Sequence, residues 1–350
     1  MEQKLPEFNS PKSTGDEEGK TVYLLGAGAS YASDFQFPLM EGFFKEEDFN
    51  SGNYPNLKKF IDKYFPSVGF SVLNLEQVIT MLELSLDQFS NFGKIPESYL
   101  LDARREFERY VLKKLELSPK KNLCSKHSIL ANKIKKIDTI ISLNYDVIMK
   151  IALKMNKETE DIVEETESIV YPLSKMRVRG DYGPIWTKEK RGYFLQLHGS
   201  VDWVYCPNPD CWLHLSFAPR ESVYGYKETD LDEPCFYCGT QISSVIIPPS
   251  MNKSFQKYPR IGILWSIAYR EILNANKLVF IGISMAESDY YLNWLIKSGV
   301  LNSKIKKSIE VVNRDKNICE KIKKLTGIEP DFLEDFDTYI NKLKEYDKIL

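Results

Sequence analysis

No apolar run in this 350-residue chain approaches the ~20 residues that a helix needs to cross a bilayer, which excludes a spanning helix. The chain also lacks a charge bias. A formal net charge of −2 argues against a generally basic nucleic-acid binder and leaves only local patches. There is no targeting segment: residues 1–20 are polar, carry Pro6, Pro11 and the acidic cluster Asp16-Glu17-Glu18, and read as a disordered arm. Cytoplasm is the default expectation. Internal repeats are missing, and no low-complexity tract lies beyond that arm. A disulfide framework is missing too, because four of the six cysteines (Cys206, Cys211, Cys235, Cys238) cluster, while Cys124 and Cys319 stand apart in helix-like segments. What remains, 43% hydrophobic and 27% charged residues, describes a soluble globular chain with a sizeable core in one large domain or two smaller ones.

Thr21-Val22-Tyr23-Leu24-Leu25 is a short β-prone run that stops at Gly26-Ala27-Gly28-Ala29-Ser30, with a helix to follow. Glycines there allow a tight turn and close backbone approach to a ligand, and the Ser30 hydroxyl adds a donor, a combination suited to a pyrophosphate. The third glycine of the G-x-G-x-x-G pattern is absent, and Tyr31 stands in its place. Similar junctions recur. Strands over residues 137–143, 193–197, 277–281 and 307–312 end at Asn144-Tyr145-Asp146, His198-Gly199-Ser200, Gly282-Ile283-Ser284 and Asn313-Arg314-Asp315. Ligands of open α/β sheets lie beyond the carboxyl ends of the strands, so the expectation is a doubly wound, Rossmann-type parallel α/β sheet whose crest is the site.

Helices are predicted over residues 56–64, 75–86, 98–117 and 126–136, making a helical insertion over 44–136 after the first strand–helix unit. Asn74 with Gln77 resembles a capping box, and the helix dipole alone explains Glu76 in the first turn. An aromatic-rich stretch around Phe35, Phe37, Phe43 and Phe44 lies on or beside the glycine loop. The lysine runs at 133–136 and 304–307 read as solvated helix ends that complement the helix dipole. A C-terminal helix is expected over 331–350.

Cys206 and Cys211 flank four residues, Cys235 and Cys238 flank two, and the knuckles stand about two dozen residues apart. Four thiolates complete a tetrahedral Zn2+ site and leave no open position, so the role is structural. Pro207, Pro209, Pro234 and Gly239 supply turns; His214 is a conceivable substitute ligand. The small zinc-ribbon module over 200–245 has no core of its own and would depend on the metal to fold.

Together these pieces resemble the sirtuin family, and more closely its bacterial sirtuin-like branch. The resemblance rests on Gly26-Ala27-Gly28-Ala29-Ser30, Leu143-Asn144-Tyr145-Asp146, Leu197-His198-Gly199-Ser200, the four cysteines, Gly282-Ile283-Ser284 and Val312-Asn313 in the family's order, over residues 21–330. It implies NAD bound between a Rossmann-type domain and the zinc-bearing module. By position, Gly26, Ala27, Gly28 and Ser30 would hold the pyrophosphate, while Gly282, Ser284 and Asn313 would line the adenosine side. Asn144 would position the nicotinamide ribose and a water, Asp146 would receive the carboxamide N–H groups, and His198 would be the general base. A structural His198 and an Asp146 that merely caps the next helix are the plainer alternatives.

Cleavage of the ribose C1′–nicotinamide bond expels a neutral leaving group through an oxocarbenium-like state, which calls for orientation of the ring and a base with a pKa near working pH. Two departures from the deacylases matter. The Gly-Ile-Pro-Asp-Phe-Arg element that follows their glycine loop is replaced by Asp34-Phe35-Gln36-Phe37-Pro38-Leu39, and Ile246-Ile247-Pro248-Pro249-Ser250 stands where they carry Phe-Gly-Glu. In the sirtuin-like branch this combination goes with NAD hydrolysis in antiphage defence, the NADase being held inactive in a homo-oligomer or by a partner such as an ATPase. The expectation is an NAD+ glycohydrolase without membrane or direct nucleic-acid partners; an NAD-dependent protein deacylase and a non-catalytic NAD or ADP-ribose sensor are the competing readings.

Overall fold

Runs such as Val22-Tyr23-Leu24-Leu25 and Leu278-Val279-Phe280-Ile281 are apolar at every position, so strands built from them must be covered on both faces. The computed structural model describes residues 19–50, 52–91, 98–117, 124–154, 169–170, 192–214, 218–219, 227–247, 259–286 and 289–349. Residues 1–18 of the expected arm and Pro248-Pro249-Ser250 lie outside them. The described strands are β1 (Thr21–Leu25), β2 (Thr139–Ser142), β3 (Ile169–Val170), β4 (Gly192–Gln196), β5 (Gly199–Tyr205), β6 (Ala218–Pro219), β7 (Ser243–Ile246), β8 (Lys277–Ile281), β9 (Ser308–Val312) and β10 (Asp331–Leu333). Seven of these form one sheet in the order β10-β9-β8-β1-β2-β4-β3, with every neighbouring pair parallel. The chain leaves central β1 toward β2 and later returns on its other side with β8. The loops after β1 and β8 therefore part at a topological switch point.

The described helices are α1 (Ala27–Tyr31), α2 (Glu46–Asn50), α3 (Pro55–Tyr64), α4 (Leu75–Asn91), α5 (Ser98–Lys114), α6 (Ser125–Lys133), α7 (Ile148–Lys154), α8 (Pro259–Leu273), α9 (Tyr290–Leu301), α10 (Asn317–Thr326) and α11 (Phe336–Ile349). Val22 and Leu24 point to a core shared with Ile267, Leu295 and Ile322 of α8, α9 and α10, while Tyr23 and Leu25 pack on the other face with Leu130 of α6 and Tyr339 of α11. The sheet is thus doubly wound. None of the helices among the described residues is long and apolar enough to cross a membrane.

The insertion has its own core. Phe44 stacks on Tyr110 at 5.3 Å, Tyr54 meets Tyr110 edge-on at 5.3 Å, and Phe43, Phe49 and Phe107 close the cluster. Each such pair contributes ~0.5–1.5 kcal/mol beyond the area it buries. The aromatic stretch after the glycine loop is therefore mostly core. Among the described residues the insertion holds five helices, α2 to α6, not four, because the single-turn α2 was too short to show helical periodicity. Asn74 caps α4 as expected, its Oδ1 accepting from the N–H groups of Glu76 (2.8 Å) and Gln77 (3.3 Å).

Two expectations need correcting. Residues 331–333 form edge strand β10, parallel to β9, so the last helix begins only at Phe336. Lys307 is not a solvated helix end. It is buried, and its Nζ donates to Leu273 O (3.1 Å) and Ala275 O (2.6 Å) at the C-terminus of α8, a different helix from the one that precedes it. It still complements a helix dipole, but from inside.

Candidate functional site

At the switch point the loops after β1 and β8 interlock. Gly26 N–H donates to Ile281 O and Gly28 N–H to Gly282 O, both at 2.9 Å. A Cβ on Gly26 would lie 2.6 Å from Gly282 O, and one on Gly282, whose φ is +64°, would lie 2.3 Å from Ala29 N. Glycine is thus required by loop-on-loop contact, and the Gly28 N–H is already taken. Tyr31 needs no glycine because it stands at the exposed rim, where the Arg314 guanidinium lies 5.9 Å from its ring centroid.

This crest opens into a cavity of about 570 Å³. Of the expected residues, Gly26, Ala27, Gly28, Asn144, His198, Gly282, Ser284 and Asn313 line it. Ser30 and Asp146 do not; they sit one layer behind. Asn144 Nδ2 donates to Gly26 O (2.9 Å) and to Ser30 Oγ (2.8 Å), and Ser30 Oγ donates to Asp146 Oδ2 (2.6 Å). Asp146 Oδ1 accepts from Ile148 N–H at 3.0 Å, in the first turn of α7. Both carboxylate oxygens thus have intramolecular partners, and Asp146 is linked to the cavity-lining Asn144 through Ser30. Burial raises its pKa above the ordinary 3.8, against the lowering effect of the Ser30 and Ile148 hydrogen bonds.

His198 occupies the tight turn from β4 into β5. Gly199 at φ +86° makes that turn possible, because a Cβ there would meet Val245 O at 1.9 Å. The turn is pinned by Leu197 N–H to Ser142 O (3.0 Å) and Ile247 N–H to His198 O (2.9 Å). The imidazole stacks on Trp265 (centroids 6.2 Å, planes 23° apart), and Trp265 Nε1–H donates to Leu197 O at 3.1 Å. Its Nε2 lies 3.4 Å from Oδ2 of Asp289, which caps α9 by accepting from Leu292 N–H. Sequence reasoning missed both Trp265 and Asp289. Asp289 before an apolar helix carries a cap signal, but nothing local announces a histidine ninety-one positions away.

The far end of the cavity is held by Asn313, whose Nδ2 donates to Ile283 O (2.8 Å), and by Lys321 Nζ donating to Ser284 O (3.2 Å). The near wall comes from the insertion: Leu75 N–H donates to Met40 O at 2.9 Å, bringing Glu41, Asn74 and Glu76 to the cavity.

Strands β6-β5-β7 form a separate antiparallel sheet that starts at the His198 turn and leads to the cysteines. The Sγ atoms of Cys206, Cys211, Cys235 and Cys238 all lie within 4.8 Å of one another, with Cys206–Cys238 at 3.4 Å and Cys211–Cys235 at 3.7 Å. Tetrahedral Zn–S bonds of ~2.3 Å place sulfurs ~3.8 Å apart, so the four thiolates fit one zinc ion. His214 is not needed as a ligand; its Nδ1 is 2.9 Å from Cys206 O, as a donor to that carbonyl. Among the described residues the apolar cluster around the sulfurs adds only Leu213 to the buried Cys206, Cys211 and Cys235, with Ile242 packed against it, too small a cluster to fold unaided.

No family model matches the chain, and no curated protein matches it. Among solved structures it is similar to a Sir2–p53 peptide–NAD+ complex, at 14% identity and a TM-score of 0.46 over 95% of this chain and 94% of that one. It is also similar to a Sir2 homologue in complex with ADP-ribose, at 16% identity and a TM-score of 0.46 over 95% of each chain. What the cavity can do follows from its own residues.

Proposed function

We propose that this protein is an NAD+ glycohydrolase that releases nicotinamide without a protein substrate. The observation that carries the reading is the hydrogen-bonded set Gly26–Asn144–Ser30–Asp146 facing His198 across one cavity at the switch point. A dinucleotide suits that place, because glycines 26, 28 and 282 let the loops after β1 and β8 pack backbone to backbone at the switch point of the sheet. Asn144, locked by two hydrogen bonds, is the positioner of ribose and water, with Asp146 as its support.

In the proposed reaction the C1′–N bond breaks and its electron pair returns to the pyridinium nitrogen, so nicotinamide leaves neutral. Water adds to C1′ of the oxocarbenium ion, and its proton passes to His198 and then to solvent. The products are nicotinamide, ADP-ribose and one proton. Zinc takes no part in this chemistry, since four thiolates leave it no open position. The antiphage role and the restraint by a homo-oligomer or partner protein belong to the same proposal and rest on the resemblance to the bacterial sirtuin-like branch, while the cytoplasmic setting is the default for a polar N-terminal segment. The test is nicotinamide release by purified protein with and without an acetyl-lysine peptide. Release without peptide supports the glycohydrolase, release only with peptide replaces it by a deacylase, and binding of NAD without turnover replaces it by a sensor.

A further inference from the structure

The His198 ring is held on two sides by two different helices. Trp265 of α8 lies under its face, and Asp289 at the start of α9 stands at its Nε2 edge. The side chains of His198 and Asp289 are 5% and 6% exposed, and both residues line the cavity. Capping α9 uses only one carboxylate oxygen of Asp289: Oδ1 accepts from Leu292 N–H at 3.2 Å. The second oxygen lies 3.4 Å from Nε2 of the imidazole, a close polar contact rather than a formed hydrogen bond. That is longer than a relaxed hydrogen bond, as contacts in ligand-free catalytic sites often are. At this distance and burial a carboxylate still biases the ring strongly.

We propose that Asp289 is a positioning residue for His198. Its carboxylate holds the ring proton on Nε2 and stabilises the imidazolium formed when the ring takes up a proton from a ribose hydroxyl or water. This inference rests on the glycohydrolase reading for its kinetic consequence, but the pairing itself can be read without turnover. Glu76 faces the same cavity from the insertion, Glu41 from the segment before it, and Arg314, Asp315, Lys321, Asp335 and Asp337 from its far end; among the described residues Asp289 is the acid paired with Nε2.

The test separates this role from plain helix capping. Asp289→Asn keeps a good cap, but with its oxygen on Leu292 N–H it must turn its NH2 toward the ring and so favours the opposite tautomer. Asp289→Ser keeps a capping oxygen on a side chain too short to reach the ring. The readouts on the full chain are the 15N imidazole spectrum of ligand-free protein, assigned with His198→Gln, and the kcat and KM of nicotinamide release. Both variants should fold normally and lose the Nε2–H signature of His198. Their kcat should fall ~10-fold or more with KM little changed. A wild-type imidazole spectrum in both variants, with or without loss of turnover, would reduce Asp289 to a helix cap and overturn the proposal. If the wild-type protein releases no nicotinamide in any state, the glycohydrolase reading fails, while the imidazole spectra still decide the pairing.

Discussion

Replacing Ser30 by alanine removes one oxygen and takes one hydrogen bond from each of two buried groups, while Asn144 keeps Gly26 O and Asp146 keeps Ile148 N–H. In the native network the Ser30 hydroxyl donates its hydrogen to Asp146 Oδ2 (2.6 Å) and accepts from Asn144 Nδ2 (2.8 Å), a direction that works only with Asp146 ionised. Each buried group deprived of a hydrogen bond costs about 1–3 kcal/mol, more when it is charged, so Ser30→Ala should lose about 2–5 kcal/mol of stability at neutral pH. The loss should depend on pH, with a definite sign. Burial already raises the folded-state pKa of Asp146 above its unfolded 3.8, and the Ser30 hydrogen bond is the largest influence lowering it. The folded protein therefore holds more protons than the unfolded chain between those two values, and stability falls as pH rises through that interval. Ser30→Ala raises the folded value further, so its penalty should be smallest below the unfolded value of 3.8, where Asp146 is protonated in both states, and should grow toward pH 7. Urea denaturation at several pH values measures this. A penalty that is absent, or equal at pH 4.5 and 7.5, would refute the coupling of Ser30 to an ionised Asp146.

Four further outcomes are expected. His198→Ala should lower nicotinamide release ~100- to 10,000-fold while thermal melting and metal content stay as in the wild type. Asn144→Ala frees Gly26 O and Ser30 Oγ and should abolish most turnover, with NAD binding by calorimetry weakened as well. Elemental analysis should find one zinc per chain, and Cys235→Ser or chelation should remove it and open the β5–β7 sheet first, seen as loss of amide protection there before the parallel sheet. Burial lowers the pKa of Lys307 to about 8 from 10.5, so the folded state sheds its proton first and stability should rise with pH across that window; Lys307→Met should flatten the rise in denaturation midpoints.

The doubly wound core was legible because β1 and β8 are apolar on both faces, β2 and β9 are rich in β-branched residues and largely buried, and each stops at a polar or glycine junction. The metal site was legible because cysteine spacing is local. What stayed hidden depends on distant partners. Nothing around Lys307 tells a buried cap from a solvated one; the carbonyls that claim it belong to a helix ending more than thirty residues earlier. Strand β10 is three residues long and only partly buried, below the length at which alternation shows. Asp146 occupies the expected strand end, but its direction was set by Ser30, 116 residues away, which turned it from the cavity.

The position of His198 follows from how three parts of the fold share one turn. The turn joins β4 of the parallel sheet to β5, which runs straight on to Cys206. The far side of the module returns as β7, and its end is tied to the crest by Tyr145 Oη donating to Ile247 O at 3.0 Å. The insertion grips the same strand through a buried charge cluster: Ser244 N–H donates to Glu108 (3.0 Å), and Arg104 bridges Glu108 (2.7 Å) and Ile246 O (3.3 Å). Breaking one partner of such a buried pair is costly, so β7 cannot shift relative to the insertion without disturbing the carbonyl of His198, which accepts from Ile247 N–H. The insertion and the zinc module are therefore joined to the His198 turn through hydrogen-bonded strands, and Tyr145 and Ser142 tie the same turn to the parallel sheet.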